Sequence, residues 1–239
     1  MNDSGGAFAA ALADLPDYLG WHVLLSVSAI LIGIAVSVPI AIASLRSSVL
    51  RGITLGVASV IQTIPSLALL ALFYPVLLAI SGFTRAVFGF GFGALGFLPA
   101  LAALSLYSML PILRNTIAGI EAVDPAAKRA ALGIGMNRGQ LLRLIELPLA
   151  APIIMAGIRT AAAWVIGTAT LSTPVGQTSL GNYIFAGLQT ENWVFVLFGC
   201  VAAAALALVI DRLIALAQSG LATRSRAAWS AQPRDLPWL

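Results

Sequence analysis

Three side chains that often do chemistry occur once each in this chain: His22, Cys200 and Lys128. A protein metal site gathers several Cys, His or carboxylate ligands, and one His with one distant Cys forms no such cluster. A Ser-His-acid hydrolytic arrangement sets its His beside a nucleophile, whereas His22 follows Trp21 at the head of an apolar run, where a structural role is expected. The nucleotide-binding phosphate loop requires Gly-x-x-x-x-Gly-Lys and then Ser or Thr, but Lys128 lies between Ala127 and Arg129. Cys200 sits in an apolar run, reads as a small buried hydrophobe, and has no partner for an intrachain disulfide. The chain is therefore expected to hold no catalytic residue, no metal and no nucleotide of its own.

Chemistry of another kind gathers in residues 121–148, EAVDPAAKRAALGIGMNRGQLLRLIELP. Glu121, Asp124 and Glu146 meet Lys128, Arg129, Arg138 and Arg143 there, between long uncharged runs. The local pattern predicts two short helices. Asp124 suits an N-cap and Pro125 the first helical position, where its missing N–H costs nothing. Ala126, Ala127, Lys128, Arg129, Ala130, Ala131 and Leu132 favour helix, and Gly133 and Gly135 loosen or end it. Asn137 can cap the second helix, which carries Leu141, Leu142, Leu144 and Ile145 beside Arg138 and Arg143. Pro148 is expected to stop it.

The elements that must position this segment are membrane spans. The 239 residues are 60% hydrophobic and only 9% charged, against about 25% charged in soluble domains. A crossing needs about 20 apolar residues, and the uncharged runs predict five: 23–45, 52–84, 99–113, 150–172 and 193–210. Asp211 and Arg212 are expected to end the last. A short interfacial helix is expected over 7–15, ahead of Pro16. The glycine/aromatic run 87–97, after Arg85, suits an external loop or re-entrant piece. The expected fold is an all-α polytopic membrane protein of about five transmembrane helices with a two-helix cytoplasmic segment. It divides into an extracytoplasmic tail, 1–20, a transmembrane domain, 21–218, and a cytoplasmic tail, 219–239, disordered at its end.

Several polar residues fall inside the apolar runs. Gln62, Thr63 and Ser66 flank Pro65, which frees a backbone carbonyl that must be satisfied at membrane depth. This is either the wall of a translocation path at a broken helix or an ordinary kink against a neighbour. Arg159 is the one basic residue inside a span; it can gate, pair helices, or snorkel toward headgroups. Thr168 and Thr170 suit helix contacts or a wet path. No acid can be placed inside a span.

With the N-terminus outside, eleven of the thirteen basic residues fall on the cytoplasmic side, leaving Arg85 outside and Arg159 in the membrane. This positive-inside bias sets segment 121–148 and the C-terminus in the cytoplasm.

Ala130-Ala131-Leu132-Gly133, then Glu146-Leu147-Pro148, Pro152 and Gly157, resemble the EAA loop of ATP-binding-cassette importer permeases, with Arg129 where that family usually has Glu. The run Gly157-Ile158-Arg159-Thr160-Ala161, Trp164, Gly167-Thr168-Ala169-Thr170-Leu171 and Gly181, with Ile61-Gln62-Thr63-Ile64-Pro65-Ser66, is similar to the osmoprotectant branch of those permeases. The resemblance implies a type I importer subunit of the cell inner membrane for glycine betaine, choline or carnitine. It implies ATPase coupling through Asp124, Pro125, Arg129, Ala130, Ala131, Gly133, Gly135, Asn137, Arg138, Glu146 and Pro148. It also implies a path along Gln62, Thr63, Pro65, Arg159, Thr168 and Thr170. Expected partners are two ATPase subunits carrying ATP and magnesium, a second permease copy or paralogue, an extracytoplasmic substrate-binding protein and membrane lipid, with no nucleic acid. A permease for another small solute, amino acid-like, is the alternative. An ion-gradient carrier predicts intramembrane acids or inverted repeats, and neither is visible.

Overall fold

The computed structural model describes residues 4–230, and within them the chain is helical with no strand. In order, the helices are α1 (Ser4–Ser44), α2 (Ser48–Thr63), α3 (Ser66–Phe88), α4 (Phe97–Glu121), α5 (Pro125–Gly133), α6 (Arg138–Leu141), α7 (Leu147–Ala169), α8 (Gly181–Gln189) and α9 (Trp193–Ser230). One turn of π-helix, Leu142–Glu146, joins α6 to α7, and a 3-10 stretch, Thr170–Val175, follows α7. Among the described residues five helical stretches are long and apolar enough to cross a membrane: Phe8–Ser44, Ser66–Phe88, Phe97–Glu121, Arg138–Val175 and Trp193–Ser219.

The core sits on α4. Leu104, Tyr107, Leu110, Ile112, Leu113 and Ile117 are all buried along it, against α1, α7, α3 and α2. Glycine allows the close approach. A Cβ on Gly157 of α7 would lie 2.5 Å from the Asn115 Cβ and 2.8 Å from the Pro111 carbonyl of α4. Small residues at such crossings are how helices associate where lipid removes the hydrophobic drive.

Several expected boundaries are corrected. The interfacial helix over 7–15 and the span 23–45 form one helix, α1, with Pro16 inside it. Its first turns are held from outside: Ala11 is buried, and its carbonyl accepts the Tyr183 hydroxyl of α8 at 2.6 Å. The run 52–84 is two helices, α2 and α3, broken at Ile64 and Pro65. The third span is longer than 99–113, because α4 continues through Arg114 to Glu121. Pro148 does not stop a helix. It opens α7, and the π turn before it absorbs the missing N–H by letting Leu147 bond the Leu142 carbonyl. Such π turns are a known way to carry a local irregularity inside a helix. The fourth span, expected over 150–172, is α7 with its 3-10 extension. The fifth does not end at 210; α9 runs on past Asp211 and Arg212, so an acid does lie inside a span.

The glycine/aromatic run leaves the helix at Gly89, whose φ of 76° suits a residue without Cβ. It folds back on α3 through Ser81, which donates to the Phe92 carbonyl at 2.6 Å and accepts its N–H at 3.0 Å. Of the tail expected over 219–239, residues up to Ser230 continue α9, and its expected disordered end, 231–239, lies outside the described residues.

Candidate functional site: the coupling segment and the outer face of α7

The polar segment is built much as its caps foretold. Asp124 Oδ1 accepts the Ala126 N–H at 2.8 Å, with Pro125 in the first turn of α5. Asn137 and Gln140 form a reciprocal capping box, each bond 2.9 Å, at the start of α6. Between them Gly135 takes a φ of 88°, a left-handed turn that reverses the chain after α5. Ala131 is buried under α5, whereas Arg129, Ala130, Gly133, Gly135 and Arg138 are exposed. Arg129 and Arg138 form no ion pair among the described residues. Leu132, Ile134 and Leu144 are exposed beside them.

Lys128, expected only as one of the segment's charges and helix formers, ties the segment to the bundle. Lys128 Nζ lies 3.0 Å from Glu146 Oε1 and donates to the Ile120 carbonyl at 2.9 Å. It thus joins α5 to the C-terminal end of α4, where helix carbonyls carry partial negative charge, and to the entry of α7. Arg51 of α2 pairs with Glu121 on the same end of α4. The segment's three acids are all used internally.

On the outer face of α7, Arg159 makes a bidentate pair with Asp211 of α9. Nε reaches Oδ1 at 2.7 Å and Nη2 reaches Oδ2 at 2.8 Å. Asp211 was missed because it follows the apolar run and reads as a span end. Trp164 is 54% exposed on this face, with a hollow on each side of it. Thr168 lines one hollow but donates its hydroxyl to the Trp164 carbonyl, and Thr170 donates to Gly167 at 2.7 Å. Their hydrogens are spent on their own helix.

The α2–α3 break is stapled to α4. With no N–H on Pro65, the Ile61 carbonyl takes the Ile64 N–H at 3.3 Å, and Thr63 donates to Val60 at 2.7 Å. Tyr107 of α4 donates its hydroxyl to the Ile64 carbonyl, and Gln62 returns a bond to the Tyr107 carbonyl at 3.3 Å. These residues bond with each other, and none of those bonds reaches Arg159, Thr168 or Thr170. Among the described residues the break joins α7 and its 3-10 extension only through apolar packing, in which Ile61 and Ile64 share a core cluster with Ile158 and Leu171. Tyr107, 43 residues from Ile64, gave no local signal.

His22 is buried and structural: Nδ1 accepts the Leu180 N–H at 3.2 Å, leaving Nε2–H to donate to the Ile166 carbonyl at 3.1 Å. Cys200 is exposed on α9 instead of buried.

A family model described as "binding-protein-dependent transport system inner membrane component" matches residues 19–223. The choline transport system permease protein OpuBB of Bacillus subtilis is 41% identical over 200 residues, 84% of this chain and 85% of that protein. The glycine betaine/carnitine/choline permease OpuCB of the same organism is 40% identical over 199 residues, 83% of this chain and 84% of that one. The osmoprotectant import permease OsmW of Salmonella typhimurium is 34% identical over 206 residues, covering 86% and 89%. Among solved structures, an inward-facing methionine ABC transporter, MetNI, superposes with a TM-score of 0.74 at 16% identity, over 89% of this chain and 98% of that chain.

Proposed function

This chain belongs to the family of binding-protein-dependent transport system inner membrane components, and we propose that it forms the membrane path of an ATP-driven importer of quaternary-ammonium osmoprotectants. Glycine betaine, choline and carnitine are its proposed solutes. Two ATPase subunits, which bind the ATP and magnesium, grip the α5–α6 surface from the cytoplasm. A second permease, identical or related, completes the path, and an extracytoplasmic binding protein delivers the solute. The N-terminus lies outside and the C-terminus inside.

The observation that carries this reading is the Lys128 junction. A docking surface transmits force only if it is fastened to the spans, and α5 is fastened to both α4 and α7 through one ammonium group. When the ATPase subunits close on ATP, α5 and the π turn move as one lever. Helices α4 and α7 then follow as rigid bodies, so the bundle alternates between inward-open and outward-open states. Arg129, Ala130, Gly133, Gly135, Asn137 and Arg138 supply the docking surface, Asp124, Pro125 and Pro148 set its helix ends, and Ala131 and Glu146 support it from beneath.

Reconstitution of the chain with its ATPase and binding protein tests the reading. The expected result is uptake of labelled glycine betaine, choline or carnitine that stops without ATP, with amino acids left outside. Uptake without nucleotide, or failure to co-purify with any ATPase, overturns it.

A further inference from the structure

We infer that the groove on the outer face of α7 is a transport subsite for a trimethylammonium headgroup, in which the Trp164 ring is the cation contact and the Arg159–Asp211 pair keeps the wall free of net charge. The inference rests on the osmoprotectant reading above. It begins with an ion pair in an unusual place. Arg159 and Asp211 lie on two membrane-crossing helices, yet their side chains remain 36% and 31% exposed on the outside of the bundle. Ionised groups are not stable against hydrocarbon and face water or protein. The α7 face that carries them is therefore turned to water or to the second permease of the proposed path, not to lipid.

The hollows on that face are shallow and open. Trp164 stands between two hollows that meet at Ala163 and Trp164 itself; one runs to Arg159 and Asp211, the other to Gly167 and Thr168. Small residues beside it, Ala163 and Gly167, leave Trp164 about half exposed. A quaternary ammonium has no N–H to donate, so hydrogen-bond acceptors recognise it poorly and an aromatic face recognises it well. A partly exposed indole gives a weak contact, which a path needs if the solute is to leave again.

The charge arrangement fits the same group. Both Asp211 oxygens are taken by one guanidinium, so the residues lining the hollow offer neither a bare anion to trap a cation nor a bare cation to repel one. Arg212, exposed next along α9, acts on Asp211 through its charge but is not part of that lining. The relatives' names include choline, a simple cation, together with glycine betaine and carnitine, which are zwitterions. What these solutes share is the trimethylammonium group. A neutral wall with one aromatic contact passes all three.

The test measures uptake of choline and glycine betaine by the reconstituted importer, with loaded binding protein saturating so that delivery does not set the rate. Trp164→Leu, which keeps an apolar side chain and loses the π face, is expected to slow both solutes about fivefold, while Trp164→Phe retains more than half of the rate. Asp211→Asn leaves the Arg159 charge uncompensated, and is expected to slow choline about tenfold more than glycine betaine. The double variant Arg159→Gln, Asp211→Asn, neutral again, is expected to restore the choline-to-betaine ratio even if both rates fall. Equal losses for the two solutes in Asp211→Asn, an unrestored ratio in the double variant, or Trp164→Leu and Trp164→Phe behaving alike overturns the inference. Wild-type importer that carries neither solute overturns the osmoprotectant reading itself, and the subsite with it.

Discussion

Lys128 and Glu146, 3.0 Å apart, close the loop between the polar segment and the membrane bundle. The two residues sit on opposite arms of the turn at Gly135, and the lysine's bond to Ile120 adds the end of α4 as a third anchor. The pair is mostly shielded, with side chains 25% and 15% exposed.

Lys128→Met removes the charge and both contacts while keeping the side-chain length. Hydrogen bonds to charged groups contribute about 1.5–3 kcal/mol each, and with both lost but the pair partly screened by solvent, a stability loss of about 2–3 kcal/mol is expected. The sharper outcome is functional: the complex assembles and hydrolyses ATP, but solute moved per ATP falls severalfold. Unchanged coupling in this variant rules out the lever.

Gly133→Trp separates docking from folding. Gly133 is exposed and nothing lies within 4 Å of a Cβ built there, so a side chain can leave the helix at this position without a clash at its root. Normal membrane insertion and thermal stability are expected, together with hydrolysis that no longer drives uptake. Normal uptake would remove α5 from the proposed ATPase interface.

Gly157→Ala examines the α4–α7 crossing. The added methyl meets backbone and Asn115 inside 3 Å, and overpacking of this kind costs about 1–3 kcal/mol. Gly82→Ala is the control, since a Cβ there meets nothing. Denaturation in detergent should show a lower midpoint for the first and little change beyond the helix-propensity gain for the second.

Tyr107→Phe releases the Ile64 carbonyl at the α2–α3 break. A loss of about 1 kcal/mol is expected from one hydrogen bond, with faster amide exchange confined to the segment around Pro65. Exchange raised uniformly through α4 would mean that Tyr107 supports the core and not the break.

Orientation is read with single cysteines at Ile134 and Glu191 in a Cys200→Ala background. Both positions are exposed. A membrane-impermeant thiol reagent is expected to reach position 191 from outside intact cells, and position 134 only after the membrane is opened. The reverse pattern overturns the cytoplasmic assignment of the coupling segment.

Much of this architecture was legible because it follows from local chemistry. Runs of uncharged residues announce spans whatever they pack against, since lipid demands them. The caps at Asp124 and Asn137 and the left-handed turn at Gly135 depend on neighbours within four residues. The α5–α6 segment could therefore be drawn before any fold was known. Prolines misled where a neighbouring element intervened: Pro16 and Pro148 looked like boundaries, but contact with α8 and a π turn carry the helix through each.

What the amino-acid order determined alone was that the chain lives in lipid, crosses it about five times and carries one polar segment with its own caps. The tertiary structure alone decided which distant groups meet: Arg159 with Asp211, Tyr107 with the Pro65 break, and Lys128 with both Ile120 and Glu146. The reason is one of range. Hydropathy and capping act along the chain, over a turn or a span, whereas these pairings exist only once separate helices have packed and brought their polar groups within hydrogen-bonding distance.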